Sequence, residues 1–307
     1  MKKLKLYRRA LKKAFNGFIE DNAFKLSASL SYYTVFAMGP LLLIIISLAG
    51  VFFGREAVQG KIYGQIKDLV GSEAALQIQT IIQNISHTQQ GTIGATIGFV
   101  VLIIGATGVF TEIQDSINYI WSVKAKPKKG WIKFLANRLI SFSLVVSMGF
   151  ILLVSLVITA VIEIMSDKLF RFFQAYTIYL FYVANVLITL LVIAGLFAII
   201  FKVLPDAKIG WKEAMIGAGF TSFLFLVGKF AIGYYLGRSK MDITFGAAAS
   251  IVIILSWVYY SSLILYFGAE FTKYYAMETG KAILPNETAV FIIKKEAKEV
   301  PESYLDT

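Results

Sequence analysis

The stretch "SASLSYYTVFAMGPLLLIIISLAG", residues 27–50, decides what kind of chain this is. Three serines lead into Tyr32 and Tyr33, and Gly39-Pro40 then interrupts a run of apolar residues. A helix starting after Pro40 would hold only Leu41 to Phe53, roughly 20 Å at about 1.5 Å per residue. That is too short for a hydrocarbon core of about 30 Å. The helix must begin earlier, near Ser31, with both tyrosines at the inner interface. Pro40 then lies inside the span, without an N–H and crowding the carbonyl of Phe36, so it is a candidate kink. Ser27 and Ser31 stand four apart on one face, at the mouth of the span.

The rest of the chain repeats the theme. Of 307 residues, 57% are hydrophobic and 16% charged, with a mean hydropathy of +0.70. Soluble domains hold about 45–50% apolar and about 25% charged residues. The fold class is therefore all-α, a polytopic six-helix transmembrane bundle. The expected spans are about 31–53, 92–112, 138–162, 178–204, 212–236 and 244–270. Each is near the ~20 residues needed to cross.

Residues 1–30 form a cytoplasmic, interfacial segment before the membrane domain of 31–277. Leu4, Tyr7, Leu11, Ala14, Phe15 and Phe18 recur at helical spacing among many lysines and arginines, the pattern of a helix lying in the headgroup layer. Between the first two spans, 54–91 carries two apolar stripes separated by Gly71-Ser72, which predicts two short amphipathic outer helices. Residues 278–307 alternate charged and apolar and contain Pro285 and Pro301. They predict a cytoplasmic tail, partly disordered.

Charge sets the orientation. With the N-terminus inside, 22 of the 30 Lys and Arg fall on inner segments, 7 on outer ones, and Lys229 within a span. This predicts a plasma (inner) membrane protein with both termini cytoplasmic. The net charge of +11 then reads as a topology signal and an attraction to anionic lipid headgroups rather than to nucleic acid. The other partners expected are a second copy of the chain or an envelope protein.

Enzyme chemistry finds little footing. There is no cysteine, the one histidine is His87, and the acidic residues are scattered without a close metal-binding pair. No phosphate-binding glycine loop or nucleophile elbow occurs. The expectation is no enzyme activity, no cofactor and no metal.

Polar residues inside spans are costly and so become candidates. Lys229 has two readings of equal weight: a snorkelling or structurally paired cation, or part of a pathway for anions or headgroups. Glu270 is best placed to pair with Lys273 one turn on. Asn185 suits a bond to a neighbouring helix. Glu112, Asp115 and Asn118 form either a polar inner stripe or a solvated helix end. Pro205, in a Leu-Pro pair, is a second candidate kink. Small residues such as Gly217, Ala218 and the run from Gly246 to Ser250 suit close helix packing.

Several stretches together resemble one family. "NAFKLSASLSYYTVFAMGPLLL", "INYIW" (117–121), "KVLPDAKIGWKEAMIGAGFTSFLFLVGKFAIGYYLGR" and "FGAAASIVIILSWVYYSSLILYFGAEFTKYY" occur in the order found in the YihY / virulence factor BrkB membrane proteins, formerly labelled ribonuclease BN. The resemblance covers roughly residues 15 to 278, with Phe245 where the family often has Tyr. It implies a six-span inner-membrane protein linked to transport or lipid-related envelope functions, with the nuclease label a misassignment. The leading expectation is a transporter or a protein that handles lipids or envelope components. The alternative is a membrane scaffold or envelope-integrity factor that transports nothing.

Overall fold

The computed structural model describes residues 2–37, 75–77, 79, 108–126, 176–239, 245 and 248–294. Pro40, most of the first two expected spans, the third, and most of the outer segment lie outside the described residues. Within them the chain is mostly helical, and three helices are long and apolar enough to cross a membrane.

Helix α1 (Lys2–Glu20) is amphipathic. Its closest-packed positions are small, Ala10, Ala14 and Gly17, and there it meets the last helix. It ends at Asp21-Asn22. Asn22 takes a left-handed conformation, φ 52°, which asparagine tolerates better than most residues. Helix α2 begins at once and covers 23–37. The boundary expected near residue 31 therefore lies eight residues earlier. The helix runs unbroken through the serines, and within it Ser31 Oγ donates one turn back to Ser27 O at 2.8 Å, as Thr34 Oγ1 does to Leu30 O at 2.7 Å.

Residues 75–77 and 79 of the outer segment are helical, and Gln77 accepts a bond from Ser250. Helix α3 covers 108–120, well beyond the expected end at 112. It stops at Trp121-Ser122, where Ser122 has φ 57°. The indole of Trp121 anchors this exit by donating to Ala269 O at 3.0 Å. Strand β1 (Val123–Ala125) follows.

Helix α4 (Tyr176–Val203) closely matches the expected fourth span. Pro205 does not kink it. The helix ends before Leu204-Pro205, because proline restricts the residue before it and offers no N–H. Strand β2 (Ala207–Lys208) and helix α5 (Trp211–Arg238) come next. Helix α6 (Ala249–Glu278) runs eight residues past its expected end. It closes with Gly280 at φ 75°. There Lys281 N–H donates to Ala276 O at 2.9 Å and Gly280 N–H to Met277 O at 3.1 Å, the paired bonds of a glycine helix stop.

Residues 279–294, the described part of the expected tail, are built into the fold rather than trailing from it. Strand β3 (Leu284–Pro285) pairs antiparallel with β2, Ala207 opposite Pro285. Strand β4 (Ala289–Phe291) pairs antiparallel with β1, Val123 opposite Phe291. Pro285 can sit there because each ribbon has only two strands. These ribbons, α1 and the 204–210 connection all gather at one end of the bundle, here called the basal end. The main core lies against it, around Ile117, Trp121, Phe201, Leu204, Tyr266 and Ala269.

Helix α5 lies between α4 and α6 in packing contacts. Its seam with α6 is reciprocal. A Cβ on Gly217 would collide with Thr272, and one on Gly268 would collide with Thr221. Both hydroxyls are satisfied within their own helices: Thr221 Oγ1 donates to Gly217 O and Thr272 Oγ1 to Gly268 O, each at 2.7 Å. The outer faces are apolar, with Leu187 and Leu191 on α4 and Phe223, Val227 and Phe230 on α5 exposed. Such stripes suit lipid rather than water.

Candidate functional site: a buried ionic cluster at the basal end

Four charged residues from distant parts of the chain meet at the basal end. Asp21 comes from the α1–α2 corner, Glu270 and Lys273 from neighbouring turns of α6, and Lys294 from beyond β4. Glu270 is 0% exposed and Asp21 5%. Lys273 Nζ lies 3.2 Å from Glu270 Oε2 and 3.4 Å from Asp21 Oδ2, so two carboxylates share one ammonium. Lys294 Nζ lies 2.6 Å from Asp21 Oδ1 and also donates to Ile120 O at 3.5 Å. Two carboxyl groups thus face two amino groups, the pairing that buried ionisable groups require.

The cluster is tightly walled. Gly17 has no room for a side chain, since a Cβ would sit 2.8 Å from Glu270 Oε2. The Tyr274 ring lies under Lys273 at 4.9 Å, and the Tyr119 ring under Lys294 at 4.3 Å. Burial pushes the Lys294 ammonium below the ordinary lysine range, against the opposing pull of its bond to Asp21. Glu270 Oε1 has no hydrogen-bond donor facing it among the described residues. A buried carboxylate oxygen without a donor is expensive, so this corner is held in place by its surroundings.

A second polar group braces the α4–α5 connection. Asn118 accepts from the Asp206 N–H at 2.8 Å and donates to Asp206 Oδ2 at 3.0 Å. Gln114 donates to the same oxygen at 3.2 Å. Asp206 O in turn accepts from the Asn286 N–H at 2.9 Å. Nearby, buried Glu213 pairs with Lys281 at 3.0 Å, and Lys202 donates to Ile209 O. The segment from Lys281 to Lys294 thus ties to α5, the 204–210 connection, the exit of α3 and the α1–α2 corner in turn.

The residues singled out from sequence separate in space. Glu270 and Asn118 belong to the basal end. Ser27 and Ser31 are both buried nearby in α2, with Ser31 bonded to Ser27 O. Of Glu112, Asp115 and Asn118, only Asn118 is buried, and the inward polar partners on α3 are Gln114 and Ser116. Lys229 is half-buried on α5 beside Gly228, whose missing side chain leaves room for Ile264 and Tyr260. It stands eighteen residues from Trp211, roughly 27 Å along the helix, so it does not join the basal cluster. Asn185 lies on α4, with its side chain outside the described residues, as is Pro40. Asp21, Asp206 and Lys294 escaped sequence reading. Each looked like an ordinary loop or tail charge, and only the fold brings their partners to them.

Comparisons with known proteins agree with the membrane architecture. The chain is 26% identical over 255 residues to a UPF0761 membrane protein of Ralstonia nicotianae, covering 81% of this chain and 55% of that one. It is 27% identical over 266 residues to one from Pseudomonas paraeruginosa, covering 82% and 59%. A relative in Saccharophagus degradans is 24% identical over 259 residues, covering 84% and 58%. The chain therefore spans somewhat over half the length of these relatives. No solved structure matches it. The family model described as "Virulence factor BrkB" matches residues 14–289, a span that takes in α5, α6 and the β2–β3 ribbon, and the chain belongs to that family of membrane proteins.

Proposed function

We propose that the protein is a six-span protein of the plasma membrane, with its basal end in the cytoplasm, that moves or handles a lipid or another envelope component. The observation that carries this is the cluster of Asp21, Glu270, Lys273 and Lys294. Ionisable groups at the end of an apolar span are costly to keep and tend to mark pathways. Here they link α1, the last long helix and the C-terminal segment, so breaking a few ion pairs would free the basal end to open. In this reading the C-terminal segment is a latch, and Lys229 meets the substrate deeper in the bundle. We assign no hydrolytic role, since the acidic residues are scattered in the sequence and His87 stands alone.

The test is purification with native lipids, mass spectrometry of what is retained, and movement of the retained compound in proteoliposomes. A discrete lipid or solute, moved at a rate that changes in Lys229→Ala and Glu270→Gln proteins, supports the reading. Unchanged rates for every candidate compound overturn the assigned roles of both residues.

A second reading, a scaffold without transport, is favoured by the far end of the latch. Phe291 is exposed there and Ile293 is 85% exposed, an apolar edge suited to a protein partner. A stoichiometric protein recovered in the same purification, lost in Phe291→Asp, would select it.

A further inference from the structure

Helix α1 and the bundle enclose a groove that none of the foregoing uses. Its volume is about 640 Å³, within the range of about 300–1,000 Å³ typical of small-molecule clefts. Arg8, Lys12 and Asn16, one turn apart on α1, form one wall, which presents mainly apolar stems and leaves the charged heads to the rim. Phe220 and Leu224 of α5 and Phe267 of α6 form its floor.

We propose that this groove holds one anionic phospholipid, its phosphate against Arg8 and Lys12 and an acyl chain along the floor. Three observations converge. First, the cations of the groove differ from their neighbours. Lys13 pairs with Glu278 at 2.6 Å, while neither Arg8 nor Lys12 has an ion-pair partner among the described residues. Charge on that wall is left for an outside anion. Second, the floor leads into the apolar stripe of α5 formed by Phe223, Val227 and Phe230, all exposed. An occupant must therefore be apolar where it meets the bilayer. Third, Leu11 and Phe15 also line the groove while their residues remain largely exposed. Acyl contact would cover this surface, as interfacial helices require. A free phosphate would meet the first condition and leave the floor bare; a neutral lipid would meet the second and leave the cations unpaired. The site rests on the membrane placement proposed above and is independent of transport.

The full-length protein, purified in mild detergent, is offered phosphatidylglycerol or phosphatidylcholine of matched chains and weighed intact by native mass spectrometry. One phosphatidylglycerol is expected to be retained in clear preference. Arg8→Gln with Lys12→Gln should lower that retention roughly tenfold, while Lys5→Gln with Arg9→Gln, an equal charge change at exposed residues that do not line the groove, leaves it unchanged. Leu224→Asn should weaken both lipids. Excess inorganic phosphate should not displace the lipid. Equal losses from the two charge pairs, no preference between headgroups, or a protein chain retained in place of lipid would each overturn the proposal. Since neither Arg8 nor Lys12 has an ion-pair partner among the described residues, their variant should elute as the parent does. If it does not, Arg8→Glu alone, which must still lose the preference, decides the matter.

Discussion

The basal cluster and the α5–α6 seam both fasten α6 to its neighbours, by opposite means. The seam is short-range and apolar. Gly217 receives Thr272, Gly268 receives Thr221, and both hydroxyls bond to their own helices. Cohesion there comes from close contact between backbones, as expected where lipid competes equally well for apolar side chains. The basal end is long-range and polar. Asp21 and Lys294 are 273 residues apart in sequence and 2.6 Å apart in space. Directional bonds between these groups select one arrangement. The lesson is a division of labour: the seam sets how near the helices lie, and the ionic cluster sets how the basal end closes over them.

The sharpest way to break this comparison is at the ammonium shared by two carboxylates. Lys273→Met should cost about 3–5 kcal/mol, because it leaves Glu270 buried without its cation. Unfolding in mixed micelles, followed by circular dichroism, measures it. Adding Glu270→Gln should recover much of the loss, since the pair is then removed together. A single-variant cost below about 1 kcal/mol would mean that the cluster behaves as a solvated surface pair.

Next in size is the seam. Gly217→Ala should destabilise by about 1–3 kcal/mol through overpacking against Thr272. Thr272→Ala should relieve that clash, so the double variant is expected to be non-additive by at least about 0.5 kcal/mol. Additive costs would show that the two residues do not interlock. Comparable but more local is Asn118→Ala, which strips partners from the Asp206 N–H and carboxylate. About 1–3 kcal/mol is expected, together with faster proteolytic cleavage in the 204–210 connection. Unaltered cleavage would remove the bracing role of Asn118. Smallest of all is Lys13→Ala. Its pair with Glu278 is half-exposed on the lysine side, so no measurable change in the unfolding midpoint is expected. A clear loss would place the polar cohesion on α1 rather than in the buried cluster.

The sequence by itself determined the membrane class, the amphipathic first helix, and the positions of α4 and α5 to within a few residues. Hydrophobic run length and helical periodicity are local properties, readable in any window of about twenty residues. The family is equally legible, in the order of its short motifs. Element ends were less so. The helix breaks at Asp21-Asn22 and Trp121-Ser122 depend on a residue adopting positive φ, and Ser27 to Ser31 resembled a boundary only because serine hydroxyls can end helices or bond within them. Pro205 looked like a kink, while the fold uses it as a stop. The basal end was decided by tertiary structure alone. A lone Asp21, Asp206 or Lys294 has the same local signature as any solvated charge. Its meaning depends on partners up to 273 residues away, and no local pattern records which charges will be buried together.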